Sequence, residues 1–165
     1  MSPFNGLPLA ALFAFPLLVS LALITHIDWS HFRIPNLLSI PLIPLGLAEG
    51  FVREPSEVLD RAMAASIAAT LFFAVRHIYK KFRRVEGIGL GDVKLMAVAG
   101  AWCGLTSLAP IVLVACLAAL SMIYVRRWSG ELDESISWQS KVPFGSFLAP
   151  TILAAWLVNL HHWQT

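Results

Sequence analysis

The chain has 165 residues, of which 58% are hydrophobic and 13% charged, with a mean hydropathy of +0.72. A soluble domain carries about 25% charged residues, and a chain of this length cannot hide such an apolar excess inside one small globule. The composition excludes a disordered or collagen-like chain, and a scattered formal charge of +2 is no footprint for nucleic acid.

A membrane-spanning helix needs about 20 mostly apolar residues. Six such segments follow one another: Leu7 to Ile27, Ile34 to Val52, Ala62 to Ile78, Asp92 to Gly104, Leu108 to Val125 and Gly145 to Leu160. The fourth is short unless it begins at Gly87. The run from Val93 to Val125 is too long for one helix, and Gly104-Leu105-Thr106-Ser107 with Pro110 offers the turn that divides it. Met1 to Gly6 holds no Lys or Arg, so the first segment lacks the basic start of a signal peptide and reads as a retained span. The expected fold class is all-α: a polytopic membrane helical bundle of about six transmembrane helices, forming a single domain over residues 1–165. No soluble domain is expected in the longest inner loops, about 79–91 and 126–141, and no internal repeat is visible.

Basic residues accumulate on the cytoplasmic side. With both termini outside, the inner segments hold Arg33, Arg76, Lys80, Lys81, Arg83, Arg84, Lys94, Arg126, Arg127 and Lys141, and the outer ones only Arg53 and Arg61. Inverting the chain would invert that ratio. Trp29, Trp102, Trp128 and Trp163 fall near helix ends, where interfacial tryptophans are expected. Cys103 and Cys116 show no metal-ligand spacing and read as small hydrophobes.

Most acidic residues read as solvated surface charge: Glu49, Glu54, Glu57 and Asp60 outside, and Glu131, Asp133 and Glu134 inside, with Glu86 exposed before a glycine-rich turn. Asp28 and Asp92 differ. Each lies at the edge of an apolar helix, where a carboxylate costs up to about 3 kcal/mol if drawn to the bilayer centre. The first segment ends and the fourth begins at the same, inner depth, so the two acids can meet. Two neighbouring carboxyls in a site of reduced dielectric share a proton. One can then take a proton from water while the other donates to a carbonyl, which is the pairing a metal-free peptide hydrolysis needs. Taken singly, each Asp could equally cap a helix or pair with a nearby cation.

The surroundings favour chemistry. Asp92 stands in Glu86-Gly87-Ile88-Gly89-Leu90-Gly91-Asp92-Val93-Lys94-Leu95, where Gly89 and Gly91 clear space for a close backbone approach. Lys94 could tune the acid, bind lipid phosphate or snorkel to the interface. After Asp28, His31 is expected in a loop, Pro35 suits the first turn of the next helix, and Asn36 can bond locally. Lys141-Val142-Pro143-Phe144-Gly145-Ser146-Phe147 enters the sixth helix from the same side. Ala97, Gly100, Ala101 and Gly104 form a small-residue stripe suited to helix packing.

Asp28 with Ile34-Pro35-Asn36 shortly after it, the Gly89-Leu90-Gly91-Asp92 stretch and Val142-Pro143-Phe144-Gly145 together resemble the type IV prepilin peptidases, membrane aspartic proteases named for a Gly-x-Gly-Asp motif. The resemblance implies an all-helical membrane fold in the bacterial inner membrane, and an endopeptidase that removes the basic leader from prepilin or pseudopilin precursors at the cytoplasmic face. It implies Asp28 and Asp92 as the catalytic pair, with Gly89, Gly91, Lys94, Pro35, Asn36, Pro143, Phe144 and Gly145 binding substrate or shaping the site. It implies partners in pilus assembly or secretion, and neither metal nor cofactor. Larger members add a cytoplasmic region with paired cysteines and N-methylate the new terminus. This sequence lacks that region between its first two helices, so methyltransferase activity is not expected. It is more similar to the compact peptidases of Flp-type, tight-adherence pili, with an archaeal preflagellin peptidase as a related option. Two other classes compete: a proton-coupled transporter or channel relaying protons through the same acids, and a structural subunit of a secretion assembly. Acids at a helix edge, and halves that do not match, count against the transporter.

Overall fold

The computed structural model describes residues 7–84, 87–129 and 143–162, and every regular element among them is helical. Six α-helices follow in chain order: α1 Leu7–His31, α2 Asn36–Arg53, α3 Val58–Arg83, α4 Leu90–Cys103, α5 Leu105–Trp128 and α6 Phe144–His162. A single 3-10 turn, Pro55–Glu57, joins α2 to α3.

Among the described residues, four runs are long and apolar enough to cross a membrane: Leu12–His31, Pro55–Arg83, Leu105–Trp128 and Phe144–His161. The other two helices owe their place to their neighbours. α2 carries Pro41, Pro44, Glu49 and Arg53 within 18 residues. α4 has only 14 residues, about 21 Å of helix against a hydrocarbon layer of about 30 Å. From Val93 to Cys103 every residue of α4 but Lys94 is buried, and α2, α3, α5 and α6 surround it. A helix that is apolar all round belongs inside a bundle, where its length need not match the lipid.

Side-chain contacts place the helix ends in two groups. Asp28 of α1, Asn36 of α2, Lys94 of α4 and Ser146 of α6 meet at one end, where Arg126 of α5 also stacks over Trp29 of α1. Glu49 of α2, Arg61 of α3, Trp102 of α4, Ser107 of α5 and Asn159 of α6 meet at the other. Chain direction therefore alternates from helix to helix. Nine of the ten basic residues expected together lie at or near the Asp28 end, and Lys141 falls outside the described residues.

Several local expectations are corrected. α1 runs on through Asp28 to His31, because nothing before Pro35 breaks it; Phe32, at φ 52°, turns the chain. Gly104 alone divides α4 from α5: its φ of 74° suits glycine, and Thr106, Ser107 and Pro110 are already helical. Gly104 therefore ends a helix and does not join the packing stripe. Gly100 does join it, since a Cβ there would fall on the backbone of Ala64 and Ala65 in α3. Trp102 is not interfacial. It is 1% exposed, lies edge-on to Trp156 with centroids 5.9 Å apart, and its Nε1 donates to Leu42 O at 2.7 Å. Trp29 and Trp128 are exposed as expected, and Trp163 lies outside the described residues.

Glu49 is not surface charge either. It is 3% exposed and its Oε2 accepts from Arg61 Nη1 at 2.6 Å, while Oε1 pairs with Arg53 and accepts from Trp156 Nε1 at 3.4 Å. The hydropathy of an isolated segment cannot show that two charged residues will enclose each other. Glu86, Glu131, Asp133 and Glu134 lie outside the described residues.

Gly100→Val should force α3 and α4 apart. Overpacking against backbone costs about 3 kcal/mol, so thermal unfolding in detergent should show a clearly lowered midpoint, whereas Ala99→Gly should lower it much less.

Candidate active site

Among the described residues, Asp28 is the least exposed acid at its end of the bundle, at 5%. Its Oδ2 accepts the backbone N–H of Ser146 at 2.8 Å and the Ser146 hydroxyl at 3.2 Å. The same hydroxyl lies 3.2 Å from Thr25 O, one turn earlier in α1. The first backbone N–H groups of a helix have no intrahelical partner, and the helix dipole favours an anion there. α6 thus offers its amino-terminal end to the carboxyl of α1. Pro143, which lacks an N–H, is buried just before this turn, and Phe144, half-buried, begins it.

Asp92 sits in the first turn of α4, with Oδ2 accepting the N–H of Gly89 at 3.2 Å. It therefore caps its own helix. It also lies within electrostatic range of Asp28 and of Arg76 on α3. Arg76 donates through Nη1 to Ile88 O and so holds the glycine-rich approach to α4 against α3.

Ile34 joins the two halves of the site. A Cβ on Gly91 would stand 2.7 Å from Ile34 Cβ, and one on Gly145 would stand 2.6 Å from Ile34 Cδ1 and 2.9 Å from Asp28 Oδ2. One isoleucine side chain thus wedges between the glycine preceding Asp92 and the glycine beside Asp28, and both positions must lack a side chain for it to enter. Pro35, at φ −64°, is the N-cap of α2 and not its first-turn residue, and its carbonyl accepts from the Ser39 hydroxyl at 3.1 Å. Asn36 makes no local cap. Its Oδ1 accepts from Lys94 Nζ, which ties the start of α2 to the start of α4.

Ser146, Thr25, Ile34 and Arg76 are the neighbours that residue types alone do not single out. A serine opening a helix beside Pro and Gly is the available signal for Ser146. Nothing in the sequence distinguishes Arg76 from the other basic residues at that end. Beside Asp28, a groove of about 520 Å3 opens between α1 and α6, lined chiefly by Leu18, Leu21, Ala22, Pro150 and Leu153, with Thr25 and Ser146 at the acid's level.

A membrane-type helical bundle with two carboxyls at one end is the frame in which the comparisons with known proteins fall. The sequence matches the type IV leader peptidase family over residues 15–124, and the chain belongs to that family. It is 36% identical over 141 residues to the prepilin leader peptidase/N-methyltransferase of Burkholderia pseudomallei, covering 85% of this chain and 44% of that one. It is 31% identical over 136 residues to the protein of the same name from Pseudomonas aeruginosa, covering 81% and 44%. It is 32% identical over 122 residues to the leader peptidase HopD of Escherichia coli, covering 74% and 77%. The chain thus spans about half the length of the peptidase/N-methyltransferases it matches. No solved structure matches it.

Gly145→Val should displace both Ile34 and Asp28. A loss of about 2 kcal/mol in bundle stability is expected, read as a lower unfolding midpoint that Ile34→Ala partly restores.

Proposed function

We propose that this chain is a membrane aspartic endopeptidase that removes the basic leader of type IV, Flp-like prepilins at the cytoplasmic face of the inner membrane. The observation that carries this reading is that Ile34 packs against both Gly91, which precedes Asp92, and Gly145, which lies beside Asp28, with the two carboxyls in electrostatic range of each other at the basic end of the bundle. The concentration of Lys and Arg at that end supports its facing the cytoplasm.

In this reading the two carboxyls hold one proton between them. The ionised member takes a proton from water as the water oxygen attacks the scissile carbonyl carbon, and the protonated member donates to the carbonyl oxygen. The tetrahedral intermediate collapses as the C–N bond breaks and a proton passes to the departing nitrogen. The leader leaves as a carboxylic acid and the mature chain keeps a free amine. Ser146 holds Asp28, and the Gly89 N–H and Arg76 flank Asp92. Proton transfer at two side chains supplies the chemistry, so Asp28→Asn and Asp92→Asn should each lower leader removal from a purified prepilin by about 10²–10⁴. Cleavage by either variant near the wild-type rate would defeat the paired-acid mechanism. A chelator should leave the rate unchanged.

The groove between α1 and α6 suits the apolar segment that follows the scissile bond, because its apolar walls end at Thr25 and Ser146 beside Asp28. Ala22→Trp fills it without touching the acids. This variant should raise KM for a full-length prepilin about tenfold, by removing binding shared by ground and transition states. A soluble peptide ending shortly after the cleavage site should be processed as before. Prepilins, the lipid bilayer and a pilus-assembly or secretion apparatus are the partners this function requires.

A further inference from the structure

α4 is too short for the membrane to set its depth, yet it carries Asp92. Its middle is apolar and largely small, with Ala97, Ala99, Gly100 and Ala101 all buried, a surface that resists separation better than sliding. Its carboxyl end is held differently. The last carbonyls of a helix lack intrahelical donors, and here two of them are taken by side chains from other helices. Arg61 Nη1 of α3 lies 3.4 Å from Trp102 O, and Asn159 Nδ2 of α6 donates to Cys103 O at 3.2 Å and lies 3.2 Å from Ser107 Oγ. Arg61, 6% exposed, is aligned by Glu49 at 2.6 Å and by Glu57 at 3.4 Å. Polar side chains facing the interior of a membrane bundle are costly, and a role is the default reading for them.

α6 holds the other acid as well. Ser146 and Asn159 stand about 20 Å apart along α6, and Asp92 and Cys103 about 17 Å apart along α4, at 1.5 Å per residue. Two struts of similar length, joined at one end through Asn159 and Cys103, bring Asp92 and the Ser146-held Asp28 to one depth. We propose that Asn159 and Arg61 are positioning residues that cap α4 from α6 and α3, set its axial register and so fix how closely Asp92 approaches Asp28. The proposal rests on the paired-carboxyl reading of the site.

The test uses the full chain in liposomes with a prepilin substrate. Asn159→Leu puts an apolar, helix-compatible side chain of similar size in its place and removes the donor. Misplacing one reacting group by about 1 Å can cost about a hundredfold, so kcat should fall about tenfold to a hundredfold with KM within about twofold. Arg61→Lys, which keeps a cation for Glu49 and a donor for Trp102 O, should retain most of the rate that Arg61→Met loses. Register is read independently of activity by the pair Asn36→Cys and Lys94→Cys, cross-linked with a short bismaleimide and identified by peptide mass. Adding Asn159→Leu should slow that cross-link. A wild-type chain that cleaves no prepilin would defeat the peptidase reading while the cross-link still tests the register. Unchanged kcat and cross-linking in Asn159→Leu would overturn the proposal. So would a lower unfolding midpoint with kcat of the folded protein unaltered, because the two side chains would then only stabilise the bundle.

Discussion

Ser146 donates both its N–H and its hydroxyl to Asp28 Oδ2, and much of the bundle's arrangement follows from that contact. A carboxyl only 5% exposed needs donors in place of water, and an apolar helix such as α1 has none of its own to spare. The free amino end of another helix supplies them without another charged side chain. Once α6 begins beside the end of α1, the two helices must run past each other from that end, and the groove between them reaches Thr25 and Ser146, the neighbours of the acid.

The opposite end uses the same economy of donors with different groups. There Glu49, Arg61, Trp156 and the carbonyl of Trp102 satisfy one another across four helices. A buried ion pair adds little stability over an apolar substitute, while removing one partner costs about 3–5 kcal/mol. In the positioning role proposed above, its value lies in specificity of placement, since an apolar contact between smooth helices tolerates a shift along the axis that a carbonyl held by a guanidinium does not. The two polar centres bracket α4, whose own sequence carries only Asp92 and Lys94 as charges. They hold both ends of a helix shorter than the membrane against its neighbours.

The local order of the chain is largely legible in its residues. Hydropathy separates six helices, and the placement of Arg33, Arg76, Lys80, Lys81 and Arg126 against Arg53 and Arg61 foretells which helix ends share a side. Gly91 and Gly145 mark places where something must come close, though not that Ile34 fills both. Other expectations fail for a common reason. Trp102 and Glu49 sit near segment ends in sequence, and position along one segment says nothing of what another helix lays over it. His31 misleads locally, because a polar helix tail looks like a loop; Gly104 is foreseen as part of the break between α4 and α5, and only its place in the packing stripe fails.

Membrane character, helix number and the candidate acids are written in periodicity, charge and spacing, because those signals act within a turn or two of the chain. Which side chains enclose Asp28, how α4 is covered, and where Arg61 and Asn159 send their donors depend on contacts between residues far apart in sequence. Thr25 meets Ser146, Lys94 meets Asn36, and Asn159 meets Cys103 only after the helices have assembled. Such pairings arise from the need to satisfy every buried polar group at once, a condition imposed on the whole bundle and on no single segment.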